Sequence, residues 1–267
     1  MKKFIGEPVL SLFAALNLQS GGSTTKDELQ SLCSKLHPVS CDKELIRLGP
    51  IGDGGYLVPD DLTGIEACFS PGVGFSSTFE KDCADRGIKV FLADGSVDSA
   101  KSYHKLFVFI KKYIAMITDN IFITIDDWVK LSMPDSQSDL LLQMDIEGSE
   151  YEVLLAVSDA LLKRFRIIVI EFHALDGLRS KPFFKIASQV FEKLLRTHTC
   201  VHNHPNNCSG LIQYEDLEIP SVMEFTFLRN DRISSSSFAK IFPHPLDADN
   251  AENKPSLPLP ACWYRGE

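Results

Sequence analysis

"DLLLQMDIEGSEYEVLL" (residues 139–155) sets an apolar run directly against four carboxylates, Asp145, Glu147, Glu150 and Glu152. The run is continuous rather than alternating, as in a strand buried on both faces. From Glu147 onward, Tyr151, Leu154, Leu155, Leu161 and Leu162 recur at the 3.6-residue period of a packed helix. Strand followed at once by helix is half of a parallel crossover unit, and the rest of the chain repeats it. "IEACFS" (65–70) runs into a glycine-containing turn and a helix ending near Gly87, and "IKVFLAD" (88–94) is the next strand. "NIFITIDDWVKL" places a third strand near 121–125, 139–145 is the fourth, and "RFRIIVIEFHA" (164–174) is the fifth. "PFFKIASQVFEKLLRTH" is an amphipathic helix with Pro182 in its first turn, where a missing N–H costs nothing. "THTCVHNHPN" and "VMEFTFLRND" read as two further strands with no helix between them, an antiparallel pair at one edge. The expected fold is doubly wound α/β with a mostly parallel sheet covered on both faces.

At 267 residues the chain can bury one large core. Its net charge of −9 supplies no general basic field, so neither nucleic acid nor an anionic membrane surface is an expected partner. Assembly into an oligomer is left open. Seven cysteines with no C-x-x-C pair read as free thiols in a reducing compartment, hence a cytoplasmic location. Near the start, Lys2 and Lys3 precede an apolar stretch, but Glu7 and Pro8 interrupt it. Val9, Leu12, Phe13 and Leu16 fall at helical spacing, which favours a docking helix over a targeting segment. A second helix is expected in "TKDELQSLCSKL" (25–36), capped by Thr24 or Thr25. The expected organisation is an N-terminal helical extension (1–45), a central domain (46–242) and a proline-rich tail (243–267) that wraps the surface or stays loose.

In such a sheet, ligands bind outside the carboxyl ends of the strands. Gly72 and Gly74 in "FSPGVGFSSTFE" let the backbone approach a ligand, although G-x-G also occurs in ordinary turns. There is no third glycine of a dinucleotide fingerprint and no P-loop. Asp94 ends the second strand about 20 residues later, where a carboxylate can accept from a ribose diol or simply close the "ADGS" turn. Glu150 and Glu152 suit a helix N-terminus. Asp145 at the strand end is not so explained, and Gly148 makes room beside it. On the next strand Glu171 and His173 are two residues apart and share a face, so they can converge with Asp145. That group can be a base oriented by a carboxylate, or a site for a divalent cation such as Mg; Glu171 can instead pair with Arg164 or Arg166. Glu147, His202, His204 and Asn207 can add contacts to an acceptor, or the last three can form a polar loop. Tyr56 in "GDGGY" borders the same region.

"DIEGSEYEVL", with "LLLQM" before it and "IIVIEFH" after it, resembles the FkbM-type methyltransferases, a class I S-adenosylmethionine-dependent family. "GDGGYLVPDDL", "SPGVGFSSTFE", "ITIDDW", "EFTFLRND" and "FPHPLDADN" extend the likeness over residues 45–250. The resemblance implies a seven-stranded sheet of order 3-2-1-4-5-7-6 with the last strand antiparallel. It also implies S-adenosyl-L-methionine as cofactor, with the turn at Gly72 and Gly74 by its methionine part and Asp94 by its ribose. "CFSPGVG" departs from the usual loop in having Ser70 and Pro71 and only two glycines; Glu80 is then a candidate for the cofactor's amino group, or a helix-surface charge. The expected activity is O-methylation of a hydroxyl on a small molecule or sugar, using Asp145, His173 and Glu171 as base or cation ligands. The alternatives are a metal-dependent hydrolase and a non-catalytic nucleoside-binding module on the same fold.

Overall fold

The structure is a computed structural model that describes residues 22–74 and 76–266. The proposed docking helix of the first 20 residues lies outside the described residues. The main sheet contains β1 (Ala67–Pro71), β2 (Lys89–Ala93), β3 (Phe107–Ile110), β4 (Leu140–Met144), β5 (Phe165–Phe172), β6 (His198–Pro205) and β7 (Met223–Arg229). Its strand order is 3-2-1-4-5-7-6. β7 runs antiparallel to both β5 and β6, and the other neighbours are parallel.

Every residue of β4 and β5 is buried, as the apolar runs Leu140–Leu142 and Ile167–Ile170 require, and Gln143, Arg166 and Glu171 are buried with them. Alternate residues of β5 serve two cores. Ile168, Ile170 and Phe172 face α1 (Lys26–Lys35), α3 (Ile125–Ser132), α4 (Glu150–Ala156), the short α5 (Asp159–Leu162) and α6 (Lys181–Leu195). Ile167 and Val169 face α2 (Thr78–Asp85) and the strand pair Leu45–Leu48 with Tyr56–Pro59. Thr25 caps α1 in a reciprocal box with Glu28. Leu29, Leu32 and Leu36 of that region join the larger core, as does Trp263 near the other end of the chain. The proline-rich tail therefore wraps the domain and anchors on a fully buried indole. Among the described residues no helix is long and apolar enough to cross a membrane.

One strand lies elsewhere than the sequence reading put it. The third strand of the sheet is β3, in "KLFVFIKK", not the run near 121–125. Phe122 and Ile123 make only a two-residue ladder with Tyr113 and Ile114. Thr124 then caps α3 by accepting from the Asp127 amide at 3.1 Å, so helix nucleation ends the strand. β3 is the half-exposed edge, flanked by Lys105, Lys111 and Lys112, and so carries no buried-strand signature.

Candidate active site

The chain leaves β4 at Asp145 and turns back through two left-handed residues, Glu147 (φ 58°) and Gly148 (φ 105°), before α4 begins at Glu150. The left-handed conformation at Gly148 is one that a glycine adopts without strain. Only three non-glycine described residues are left-handed, and two of them, Glu147 and Ala174, bracket this site. Each costs of order 1 kcal/mol or more, strain that the surroundings must hold in place.

Glu150 is fully buried and is neither a surface charge nor a simple helix-end acid. Its Oε1 accepts from the Ile146 amide (3.2 Å), the Gly148 amide (3.0 Å) and His173 Nδ1 (3.2 Å). Tyr151 Oη donates to the His173 carbonyl at 2.9 Å. Glu150 thus holds the ring and Tyr151 the backbone of His173, with Nε2 turned to Glu147 (3.6 Å), Glu171 (3.7 Å) and Asp145 (3.9 Å). Ligand atoms of Asp145, Glu171 and His173 all lie within 4.8 Å of one another. Glu171 accepts from Asn206 Nδ2 at 2.9 Å, while Arg166 is committed to Asp139 and Asp61, and Arg164 to Ser136 and Ser138. The arginine pairing that would have made Glu171 structural does not form. Asp145 Oδ1 and Glu171 Oε2 are sealed from solvent with no hydrogen-bond partner among the described residues.

Electrostatics follow from that crowding. Burial, reinforced by the Glu150 and Glu147 charges against the opposing pull of His173, raises the Asp145 carboxyl to about 7. Burial and the Asp145 and Glu224 charges push Glu171 well above its ordinary range. Burial alone would lower His173, but the Glu150 hydrogen bond and the three nearby carboxylates outweigh it and hold the imidazole up at about 10. Near neutral pH, His173 is therefore a cation and Asp145 is the group poised to gain or lose a proton.

The glycine turn lies against this cluster. A Cβ on Gly72 (φ 85°) would meet the Asp145 carbonyl oxygen at 1.7 Å, so β1 and β4 approach backbone to backbone. Around Gly74 nothing among the described residues stands within 4 Å of such an atom, leaving open space. Asp94 follows β2 with Oδ1 accepting from the Ser96 amide and hydroxyl, both at 2.7 Å, so it closes the turn. Glu80 is not a surface charge: it is buried, 2.6 Å from Ser70 Oγ, which also lies 2.6 Å from Gln143. One hydroxyl proton cannot serve both acceptors, which agrees with burial raising the Glu80 carboxyl. Tyr56 is buried edge-on against Phe79.

A family model described as Methyltransferase FkbM domain matches residues 61–195, from just before β1 to the end of α6. The chain belongs to the FkbM methyltransferase family. No curated protein matches it. The matched span holds Gly72, Asp94, Asp145, Glu150, Glu171 and His173, the part of the site that in this FkbM methyltransferase rests on β1, β2, β4 and β5.

The rest of the site's wall comes from outside the FkbM span. Glu224 on β7 stands directly opposite Glu171, and His204 on β6 opposite Glu224. His202 Nε2 and His204 Nδ1 face the tail's Asp247 at 2.8 and 3.4 Å. Asn207 exchanges two 2.9 Å hydrogen bonds with Ala251, and Asn250 Nδ2 donates to Glu224 at 3.0 Å. His202 and Asn207 thus fasten the tail, while His204 Nε2 has no hydrogen-bond partner among the described residues. Glu150 was read in the sequence only as a helix-end charge, and Glu224 and Asn250 were not singled out. For Glu224 a signal existed, an acid inside the otherwise apolar strand "MEFTFLR"; for Asn250 none did.

Proposed function

We propose that the chain is an S-adenosylmethionine-dependent O-methyltransferase acting on a hydroxyl of a small molecule, with Asp145, Glu171 and His173 as its chemical centre. The observation that carries this reading is the convergence of those three donors beside the glycine turn, with one buried oxygen each of Asp145 and Glu171 left unpartnered. The residues fit a divalent cation. Around an octahedral cation with bonds of about 2.1 Å, ligand atoms stand about 3 to 4 Å apart, a small contraction from the present spacing. Carboxylate oxygens suit magnesium or manganese, and Glu150 fixes the imidazole from Nδ1 as a supporting carboxylate does behind a metal-bound histidine. The open space at Gly74 and the carboxylate of Asp94 suit the methionine and ribose parts of the cofactor.

When bound, S-adenosylmethionine supplies a methyl group already activated on a sulfonium, and a divalent cation lowers the pKa of an acceptor hydroxyl. The chain's own residues align acceptor and cofactor and receive the hydroxyl proton. Without a cation, Asp145, with its carboxyl near 7, is the group matched to that proton at neutral pH. Glu150 and Tyr151 keep His173 from turning away, and the tail shields the centre from water. The same Asp145 value supports a second reading in which that carboxylate acts as base without a cation. Calorimetric titration of the full chain with S-adenosylhomocysteine is the direct test: we expect binding that is lost in Asp94→Ala, and the absence of any binding to the unaltered chain would sink the proposal.

A further inference from the structure

Two cysteines from opposite ends of the described chain meet where the tail docks. Cys33 lies on the inner face of α1, buried in the larger core with Leu29, Leu32 and Leu36. Cys262 sits in the short helical turn Ala261–Trp263, half-buried against that same core, with the tail's anchor Trp263 next to it. This turn packs on α1, and the backbone is tied down on both sides of the contact. His37 Nε2 lies 3.0 Å from the Cys262 carbonyl, and Asn203 Nδ2 donates to the carbonyls of Trp263 at 3.1 Å and Leu36 at 3.5 Å. The two thiols hydrogen-bond to each other, Cys33 donating to the Cys262 sulfur, while Cys262 Sγ donates in turn to the Glu218 carbonyl at 3.4 Å. That donation lowers the Cys262 thiol against the opposing effect of burial, and together with burial it raises Cys33 well above the ordinary thiol range. Access is equally unequal. Cys262 lines a cleft of about 350 Å³ with Gln30, Gln213, Asp216, Glu218 and Ala261, whereas Cys33 stands behind it and is 1% exposed.

We propose that Cys262 and Cys33 are a thiol switch, in which Cys262 takes up a small disulfide of the glutathione class from the cleft and Cys33 resolves it into a Cys33–Cys262 disulfide that clasps the tail to α1. The Cys262 thiolate attacks one sulfur of glutathione disulfide, a Cys262–glutathione bond forms, and the first glutathione leaves as its thiolate. The Cys33 sulfur then attacks Cys262, the mixed disulfide breaks, and the second glutathione leaves. Two protein thiols have lost two electrons, one glutathione disulfide has gained them, and the two protein protons end on the two glutathiones. Glu218 and the amides of Gln30 and Gln213 supply hydrogen-bond partners for the ammonium and peptide groups of such a ligand. Cys68 and Cys83 are also hydrogen-bonded neighbours, but both are 0% exposed, so a disulfide reagent cannot reach them in the folded chain. The clasped segment matters to the site, because the tail ahead of Trp263 carries Asp247 onto His202 and Asn250 onto Glu224. Oxidation thus holds that wall in place.

The reduced full chain is incubated with glutathione disulfide without denaturant, the remaining thiols are alkylated, and the digest is read by mass spectrometry beside a melting curve. A peptide linked through Cys33 and Cys262 is expected, reversed by dithiothreitol, with Cys68 and Cys83 unlinked. Closing so long a loop should raise the melting temperature by about 5 °C or more and slow proteolysis of residues 243–260. Cys33→Ser should stop the reaction at glutathione on Cys262. Cys262→Ser, at a half-buried position outside the sheet, should leave Cys33 unmodified. The exposed Cys208 reports in every variant that the reagent is active. An unmodified Cys262 while Cys208 reacts, glutathione that stays on Cys262 in the unaltered chain, or a linked chain that melts no higher would overturn the switch. None of these readouts depends on the methyltransferase reading.

Discussion

Manganese binding should be proton-coupled, because the cation must compete with protons already on its ligands. In the ion-free protein the His173 imidazole titrates at about 10 and Asp145 at about 7. At pH 7.5, His173 is almost wholly protonated and Asp145 about one quarter so, by ordinary titration. A cation that takes His173 Nε2 and an Asp145 oxygen therefore expels slightly more than one proton. Removing the histidine proton at that pH costs about 3 kcal/mol, a factor of about 300 in apparent affinity. Affinity should climb about tenfold per pH unit between 7 and 9, and more steeply below 7 as Asp145 adds its own competition. Calorimetry in two buffers of different ionisation enthalpy counts the protons directly. In Glu150→Gln, which removes the charge that holds His173 up, the count should drop toward the Asp145 contribution alone. Affinity that is flat between pH 6.5 and 8.5, with no proton release, would refute the assignment of His173 and Asp145 as ligands.

Asp145→Asn should stabilise the fold while abolishing activity. A carboxyl raised from 3.8 to about 7 weakens the native state progressively as pH rises from about 4 to 7, so the gain appears above pH 7 and vanishes in acid. After discounting for a side chain that is 30% exposed, about 2 kcal/mol remains, or roughly 5 °C in melting temperature. Gly72→Ala and Gly74→Ala should separate. The first forces β1 from β4, and its melting temperature should drop sharply, because the new atom would stand 1.7 Å from a backbone oxygen. The second has nothing among the described residues within 4 Å and should keep its stability but bind S-adenosylhomocysteine more weakly, which thermal melting and calorimetry together distinguish. Trp263→Ala removes a fully buried indole and should cost about 3 to 5 kcal/mol, with faster proteolysis of residues 243–260.

Much of the fold was legible because β4 and β5 are buried on both faces and so announce themselves as unbroken apolar runs. β3 was not, since an edge strand needs only half its residues covered and resembles any short apolar stretch between lysines. The convergence of Asp145, Glu171 and His173 was readable from parity and neighbouring strand ends alone. Glu150 was not, because an acid in a first helical turn looks the same whether it faces water or, as here, three donors. Asp247 and Asn250 meet His202 and Glu224 only through the tail's path, and no local pattern encodes a contact across 26 or 45 residues.

The late arrival of the tail has a temporal consequence. A chain emerging from the ribosome could assemble β1 through α6, with Asp145 and His173 in place, while β6, β7 and residues 247–263 are still unmade. In that interval Glu171 would lack Asn206, Glu224 would be absent, and the reacting centre would stand open to water. On the proposed reading, the tail and β7 that wall the centre are thus the last part of the site to be completed during synthesis.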